Sequence, residues 1–376
     1  MKLELPKWYD LHAHFRQGDV MPHLVRDHLA MGCAGILAMP NTAPPVAKVF
    51  ENDDLPYWSI EAYTDMLKKA GGDKFSDIIV PLYLTKATKV AAIEAGAKTG
   101  ILRACKYYLF MTNGVFRAME EAGVVLCIHG EEHGMAAENY FDRATNAEEY
   151  FYRERLPRIV EKFPGLKIVS EHLTTKVAVD FVRSAPATVA ATVTPQHLLY
   201  TVGHLLQGLK HHLYCLPLLK FEEDRAALRA AVIAPANTKF FAGTDSAPHA
   251  KKVTECGCAA GCYTGGIAPQ LYAQAFEEAG ADLSPPSSRT PKAEGSQDSR
   301  GDSSSQAPRN DSHGFRAFEN FLCRVGPEFY GLKIPSETFT LEKTPQDVAA
   351  LSVGGEHIIP LPLGMKQKTL PWRIVQ

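Results

Sequence analysis

Eight short apolar, β-rich runs recur along the chain, at about residues 8–12, 34–39, 78–84, 101–107, 124–129, 167–172, 189–194 and 239–244. Segments with helical spacing separate them, around 57–70, 86–97, 146–163, 174–184 and 221–234. Between the first two runs, Val20, Leu24, His28 and Met31 fall near a 3.6-residue period, with Asp19 as a candidate cap and Gly32 as the stop. Strands that alternate with helices require right-handed βαβ units and a parallel sheet. Eight such units predict an α/β fold of the (β/α)8 TIM-barrel type. A doubly wound open sheet is the alternative, because periodicity does not report closure.

Residues 284–313 break the pattern. They begin Ser284-Pro285-Pro286-Ser287-Ser288-Arg289-Thr290-Pro291 and continue in Gly, Ser, Asp, Gln and Arg with hardly an apolar side chain. Such a segment cannot bury enough surface to offset its ordering entropy, so it reads as a disordered insert in a single barrel domain spanning 1–376. Arg300-Gly301-Asp302 lies within it and carries no adhesion reading in an intracellular chain. A helical pattern resumes from Phe315 to Phe329, and the tail after 335 reads as extended segments packed back on the barrel.

The chemistry is concentrated at one end of the runs. His12 and His14 are two apart, so in an extended backbone they project to one side, with Arg16 next on that side. Two imidazoles make half a metal site. Asn41 follows the second run, Lys106 lies in the fourth, and His129, His172 and Asp245 end the fifth, sixth and eighth. A barrel carries its active site at the C-terminal ends of its strands. Six of the eight runs therefore present a polar or titratable group where a barrel would use it. Each alone could be a satisfied core residue or a solvated loop residue; their shared placement points to a metal-assisted site.

Composition narrows the classes. The 376 residues are 45% hydrophobic with a net charge of −2, which gives no electrostatic case for nucleic acid or an anionic membrane. No apolar run is long enough to span a bilayer, and the N-terminus lacks the apolar stretch of a signal peptide. Cys33, Cys105, Cys127 and Cys215 sit inside apolar runs and read as small core residues of a reduced, cytoplasmic protein. Cys256, Cys258 and Cys262 share one small loop without a matching Cys pair elsewhere, a poor basis for structural zinc.

The chain resembles dihydroorotases of the monofunctional bacterial and fungal type, within the amidohydrolase superfamily. The likeness is carried by Asp10-Leu11-His12-Ala13-His14-Phe15-Arg16, Met39-Pro40-Asn41-Thr42-Ala43-Pro44-Pro45, Glu171-His172-Leu173-Thr174-Thr175-Lys176, Thr194-Pro195-Gln196-His197-Leu198, the block from His212 to Lys220, and Gly243-Thr244-Asp245-Ser246-Ala247-Pro248-His249-Ala250. The resemblance implies a zinc-dependent barrel hydrolase with two ions per chain. His12, His14 and Asp245 would hold one ion and His129 and His172 the other, with Lys106 bridging both as N6-carboxylysine. It also implies the interconversion of N-carbamoyl-L-aspartate with dihydroorotate and water, the third step of de novo pyrimidine synthesis, in a homodimer. Asp245 would carry the proton. Arg16, Asn41, His249, Leu216 and Ala260 would bind the substrate, whose carboxylate suits the planar fork of Arg16. His197 reads as a residue orienting a ligand or a loop, and His133 as a loop residue.

One segment departs from the family pattern. From Lys106 to His129 the chain is about a dozen residues short, and only Thr112-Asn113 resembles the expected substrate-covering loop. This predicts a stunted helix near Gly114–Gly123 that leaves neighbouring strands uncovered, and weak turnover beside intact metal binding. It also keeps open a barrel that has lost turnover and serves as a subunit or scaffold. A related cyclic amidase of hydantoinase or allantoinase type is the other alternative, against which the Leu216 and His249 blocks argue.

Overall fold

The computed structural model describes residues 1–108, 113–255, 257–286 and 313–375. Residues 109–112, Cys256, most of the expected insert and Gln376 lie outside them, so the disorder expected of that insert and its Arg-Gly-Asp tripeptide are not among the described features.

The eight expected strands are present: β1 (Trp8–Ala13), β2 (Cys33–Ala38), β3 in two pieces (Asp77–Ile79 and Leu82–Tyr83), β4 (Ala104–Tyr107), β5 (Val125–His129), β6 (Ile168–Glu171), β7 (Val189–Val193) and β8 (Phe240–Ala242). All neighbours pair in parallel, β1–β2–β3 on one arc and β3–β4–β5–β6–β7–β8 on the other. The break in β3 falls at Val80-Pro81, where proline has no N–H to give the ladder. Its first piece pairs with β2 and its second with β4. On the far side, Ala13 bridges Ser246 in parallel, and the Asp245 amide donates to the His12 carbonyl at 2.7 Å. The first strand thus meets the chain leaving the last, and the fold is the (β/α)8 barrel of the expectation.

Helices cover the strands as the apolar stripes require. α1 (Met21–Ala30) buries Met21, Leu24, Val25 and His28, and Gly32 ends the turn at φ +82°. Its cap differs from expectation: Val20 precedes the helix and no side chain caps it, because Gly18 already supplies a carbonyl to the Met21 amide and Pro22 removes one unpaired donor. α2 (Ile60–Lys69) starts at Ser59, whose side chain accepts from the Ala62 amide. α3 (Val90–Lys98) follows β3.

The helix after β4 corrects a second expectation. α4 (Asn113–Ala122) has ten residues, as many as α1 or α2, and buries Val115, Phe116, Ala118 and Met119. Phe116 meets Tyr107 and Phe163 edge-on, and Ala104 and Cys105 beneath are fully buried. The helix is not stunted and leaves β4 covered; residues 109–112, which include Thr112 of the expected covering loop, lie outside the described residues.

The long helix expected at 146–163 is interrupted by a π-helical stretch, Phe151–Arg155, immediately before Pro157. A proline there cannot donate to the preceding turn, and the hydrogen-bond register slips to accommodate it. Lys176–Ser184 and Glu222–Val232 follow where expected. The helix Ala268–Glu278 was not anticipated: Ala268 to Ala273 are all buried, so its first half has no polar face, and only Gln274, Glu277 and Glu278 mark one near its end. In the tail, Thr338–Glu342 pairs antiparallel with both Lys2–Pro6 and Arg373–Val375. Trp372 is fully buried, its indole N–H donating to Glu277 at 3.0 Å. The described cysteines are free thiols, and among the described residues no helix is long and apolar enough to cross a membrane.

Candidate active site

The titratable groups expected at the strand ends converge at one mouth of the barrel. His12 is near the end of β1 and His14 just past it, while Asp245 follows β8 in a left-handed backbone conformation, φ +48°. Ligating atoms of these three lie within 4.8 Å of one another. His14 Nε2 is 3.0 Å and His12 Nε2 3.4 Å from the same Asp245 oxygen. His129 ends β5 and His172 follows β6, with φ +42°. Their nitrogens, Nδ1 and Nε2, stand 3.3 Å apart. The rings of His12 and His172 are 5.0 Å apart, which joins the two groups.

Gly243 permits this approach. A side chain there would meet Thr192 at 2.7 Å and His12 Cβ at 3.0 Å. Lys106, on β4, is fully buried, and among the described residues its Nζ has no hydrogen-bond partner. His14 Nδ1 and His172 Nδ1 are also buried without partners among the described residues.

Electrostatics fit a cation site. Burial brings His14 down to about 4, against the raising pull of Asp245, and it holds His172 well below the ordinary imidazole range. Both are therefore neutral near pH 7, the form a metal requires. Burial also lowers Lys106 from the usual lysine range, against the raising effect of Glu171. Burial alone would push Asp245 up, but hydrogen bonds from His12 and His14 hold it well below the carboxylate range. His12 is opposite in sign: burial lowers it, yet the charge of Glu171 and the neighbouring bonds leave it raised.

The donor set passes a simple test. Imidazole nitrogens about 2.0–2.1 Å from a tetrahedral ion lie about 3.3 Å apart. The His129–His172 separation matches that spacing. A buried lysine nitrogen without a partner is costly unless something else is held there.

The supporting residues were not anticipated. Glu171 accepts from His12 Nδ1 and from Thr192 Oγ1, both at 2.7 Å, which fixes the His12 tautomer and leaves Nε2 facing the site. Thr192 Oγ1 in turn accepts the His172 amide at 2.7 Å. Asp10, two residues before His12, accepts from His28, from the Thr244 amide and from the Thr244 hydroxyl, and so locks β1 to the chain after β8. Glu131 faces His129 Nε2 at 2.9 Å. The signal for Asp10 was its shared strand face with His12; Glu171 was visible only as the neighbour of a ligand.

The residues expected to contact substrate fall in three places. Arg16 donates to the Asn41 carbonyl at 3.1 Å, and the Asn41 side chain meets the Tyr108 hydroxyl at 2.7 Å. Arg16 and His249 line one cavity of about 340 Å³ with Pro248, Val353 and Glu356. His249 Nε2 donates to the Ala260 carbonyl at 2.9 Å, which brings those two together. Leu216 is 38% exposed on its loop. His197 bonds Thr194 Oγ1 at 2.7 Å and the Pro217 carbonyl at 3.1 Å, so it steadies the Leu216 loop and not a ligand. His133 stacks beside His129, ring centroids 5.9 Å apart, as a loop residue.

No family model matches the chain. Curated proteins do. A dihydroorotase of Stutzerimonas stutzeri is 36% identical over 393 residues, covering 99% of this chain and 98% of that protein. A dihydroorotase of Shewanella amazonensis is 38% identical over 391 residues, with the same coverage of 99% and 98%. Among solved structures, dihydroorotase from Saccharomyces cerevisiae in complex with 5-fluoroorotic acid aligns with a TM-score of 0.78 at 24% identity, covering 100% of this chain and 98% of that one. At that identity the structural match speaks for the barrel fold alone.

Proposed function

Since this chain belongs to the dihydroorotase family, we propose that it is a binuclear-zinc cyclic amide hydrolase that interconverts N-carbamoyl-L-aspartate with (S)-dihydroorotate and water in pyrimidine biosynthesis. The observation that carries the reading is the convergence of His12, His14, His129, His172 and Asp245 around the unpartnered buried nitrogen of Lys106.

His12, His14 and Asp245 would hold one ion, and His129 and His172 the other. Lys106, as a carbamate, would supply the anion shared between them. Carbamate formation needs a neutral amine, and burial favours that form. When bound, zinc supplies Lewis acidity toward the amide carbonyl and makes water a stronger acid.

The chain's own groups do the rest. Asp245 accepts the proton of the attacking water and returns it to the leaving ring nitrogen. Its position beside His12 and His14 puts that carboxylate in the middle of the site. Glu171 and Thr192 hold His12 in one orientation. Arg16 takes the substrate carboxylate in its planar fork, with Asn41 and His249 beside it. Leu216 and Ala260 complete the pocket through their backbones.

Arg16 offers the direct test of substrate class. Arg16→Ala is expected to lower kcat/KM for dihydroorotate by about 2–5 kcal/mol, the cost of stranding a desolvated charge partner. Arg16→Lys should recover part of that loss, because it keeps charge but not the fork. Zinc content should be unchanged in both. Steady-state kinetics indistinguishable from the parent in both variants would mean that the carboxylate is bound elsewhere.

A further inference from the structure

Tyr108 is a residue that none of the proposed roles uses, although it sits between the metal ligands and the carboxylate pocket. Its ring lies between those of Tyr83, at 5.2 Å and 18°, and His129, at 5.4 Å and 28°. The Lys106 nitrogen is 5.4 Å from its centroid. Its hydroxyl is 2.7 Å from the Asn41 side-chain amide, whose residue also supplies its backbone carbonyl to Arg16. In one amide orientation Asn41 Nδ2 donates to the phenol, and Asn41 Oδ1 is buried with no partner among the described residues.

Facing a substrate carboxylate, that orientation is the poorer of two, because an amide oxygen there repels and cannot donate. Oxygen and nitrogen of an amide are nearly equivalent in shape and are assigned from their hydrogen bonds. A buried carbonyl oxygen without a donor is unfavourable. Exchanging the two atoms lets the phenol O–H donate to Oδ1 and turns the NH2 group to the vacant position. A carboxylate can use only donors, and an NH2 group offers two.

We propose that Tyr108 is a positioning residue for substrate binding: its phenol proton fixes the Asn41 amide as a donor toward the carboxylate beside Arg16. A phenol suits the task because it carries a proton to donate near pH 7. The ring stacks with those of Tyr83 and His129, which restrains where the hydroxyl can sit. The inference rests on the dihydroorotase reading but concerns a residue that reading leaves idle.

The test uses the zinc-loaded full chain, with 5-fluoroorotate and 5-fluorouracil, which lacks the carboxylate, as probes in binding calorimetry. Tyr108→Phe keeps the stacked ring and removes only the hydroxyl. We expect 5-fluoroorotate to bind about tenfold more weakly, KM for dihydroorotate to rise by a similar factor with a smaller change in kcat, and zinc content and 5-fluorouracil binding to be unchanged. Because Tyr108 acts through Asn41, adding Tyr108→Phe to Asn41→Ala should have little further effect. Unchanged 5-fluoroorotate affinity in Tyr108→Phe, or an equal loss with Asn41 already removed, would overturn the proposal. A parent chain that neither binds 5-fluoroorotate nor turns over dihydroorotate would instead overturn the dihydroorotase reading.

Discussion

Lys106→Met is expected to leave the metal-free protein at least as stable as the parent while removing most of its zinc and nearly all of its turnover. The two halves of this result have one origin. Lys106 is fully buried, and its nitrogen has no hydrogen-bond partner among the described residues. In the metal-free protein burying that group is costly, so an apolar chain of similar volume should be neutral or stabilising. In the loaded protein the same nitrogen, as a carbamate, would supply the anion the two ions share. Without it the four imidazoles and Asp245 must hold two dications with one negative charge. Turnover should fall on the order of a thousandfold, equivalent to about 4 kcal/mol of transition-state stabilisation. Urea melts in chelator, with elemental analysis and kinetics of the loaded protein, read the parts separately. Full zinc occupancy in Lys106→Met would remove the carbamate from the mechanism.

Asp245→Asn should be nearly as damaging to turnover and nearly silent in folding. Asp245 has φ +48°, a backbone conformation that asparagine adopts as readily as aspartate. The substitution keeps shape and removes the charge that His12 and His14 face and the base that moves the proton. General base catalysis contributes roughly a hundred- to ten-thousandfold, and kcat should fall within that range. The melting temperature of the metal-free protein should shift by only a few degrees. A kcat within threefold of the parent would assign the proton transfer to another group.

The order of the barrel was legible because each buried strand is a short apolar run, and the candidate ligands were legible because they sit at the ends of those runs. His12 and His14 declared themselves by spacing; His129, His172 and Asp245 did so by ending the fifth, sixth and eighth apolar segments. What was not legible depends on contacts between distant segments. Asp10 looks like one more polar residue until Thr244 and His28 are brought against it. Glu171 gains its role only when β1 lies beside it. Tyr108 was hidden among the aromatic residues after Lys106, and its stacking partners come from β3 and β5. The helix Ala268–Glu278 was missed because its first six residues are buried throughout, and the polar stripe of Gln274, Glu277 and Glu278 is confined to its end. The helix after β4 was misjudged in the other direction: counting residues against an expected length located a deficit but not which part of the segment bears it.

The central claim is that one site both holds two zinc ions and acts on dihydroorotate. The most direct measurement takes the purified full chain, loaded with zinc in the presence of bicarbonate. Zinc per chain and the rate of dihydroorotate hydrolysis are then read on the same sample before and after chelation. The account predicts close to two zinc ions per chain, measurable hydrolysis to N-carbamoyl-L-aspartate, and loss and recovery of that activity as zinc is stripped and restored. Two zinc ions with no hydrolysis in either direction, or hydrolysis that survives complete removal of metal, would contradict it.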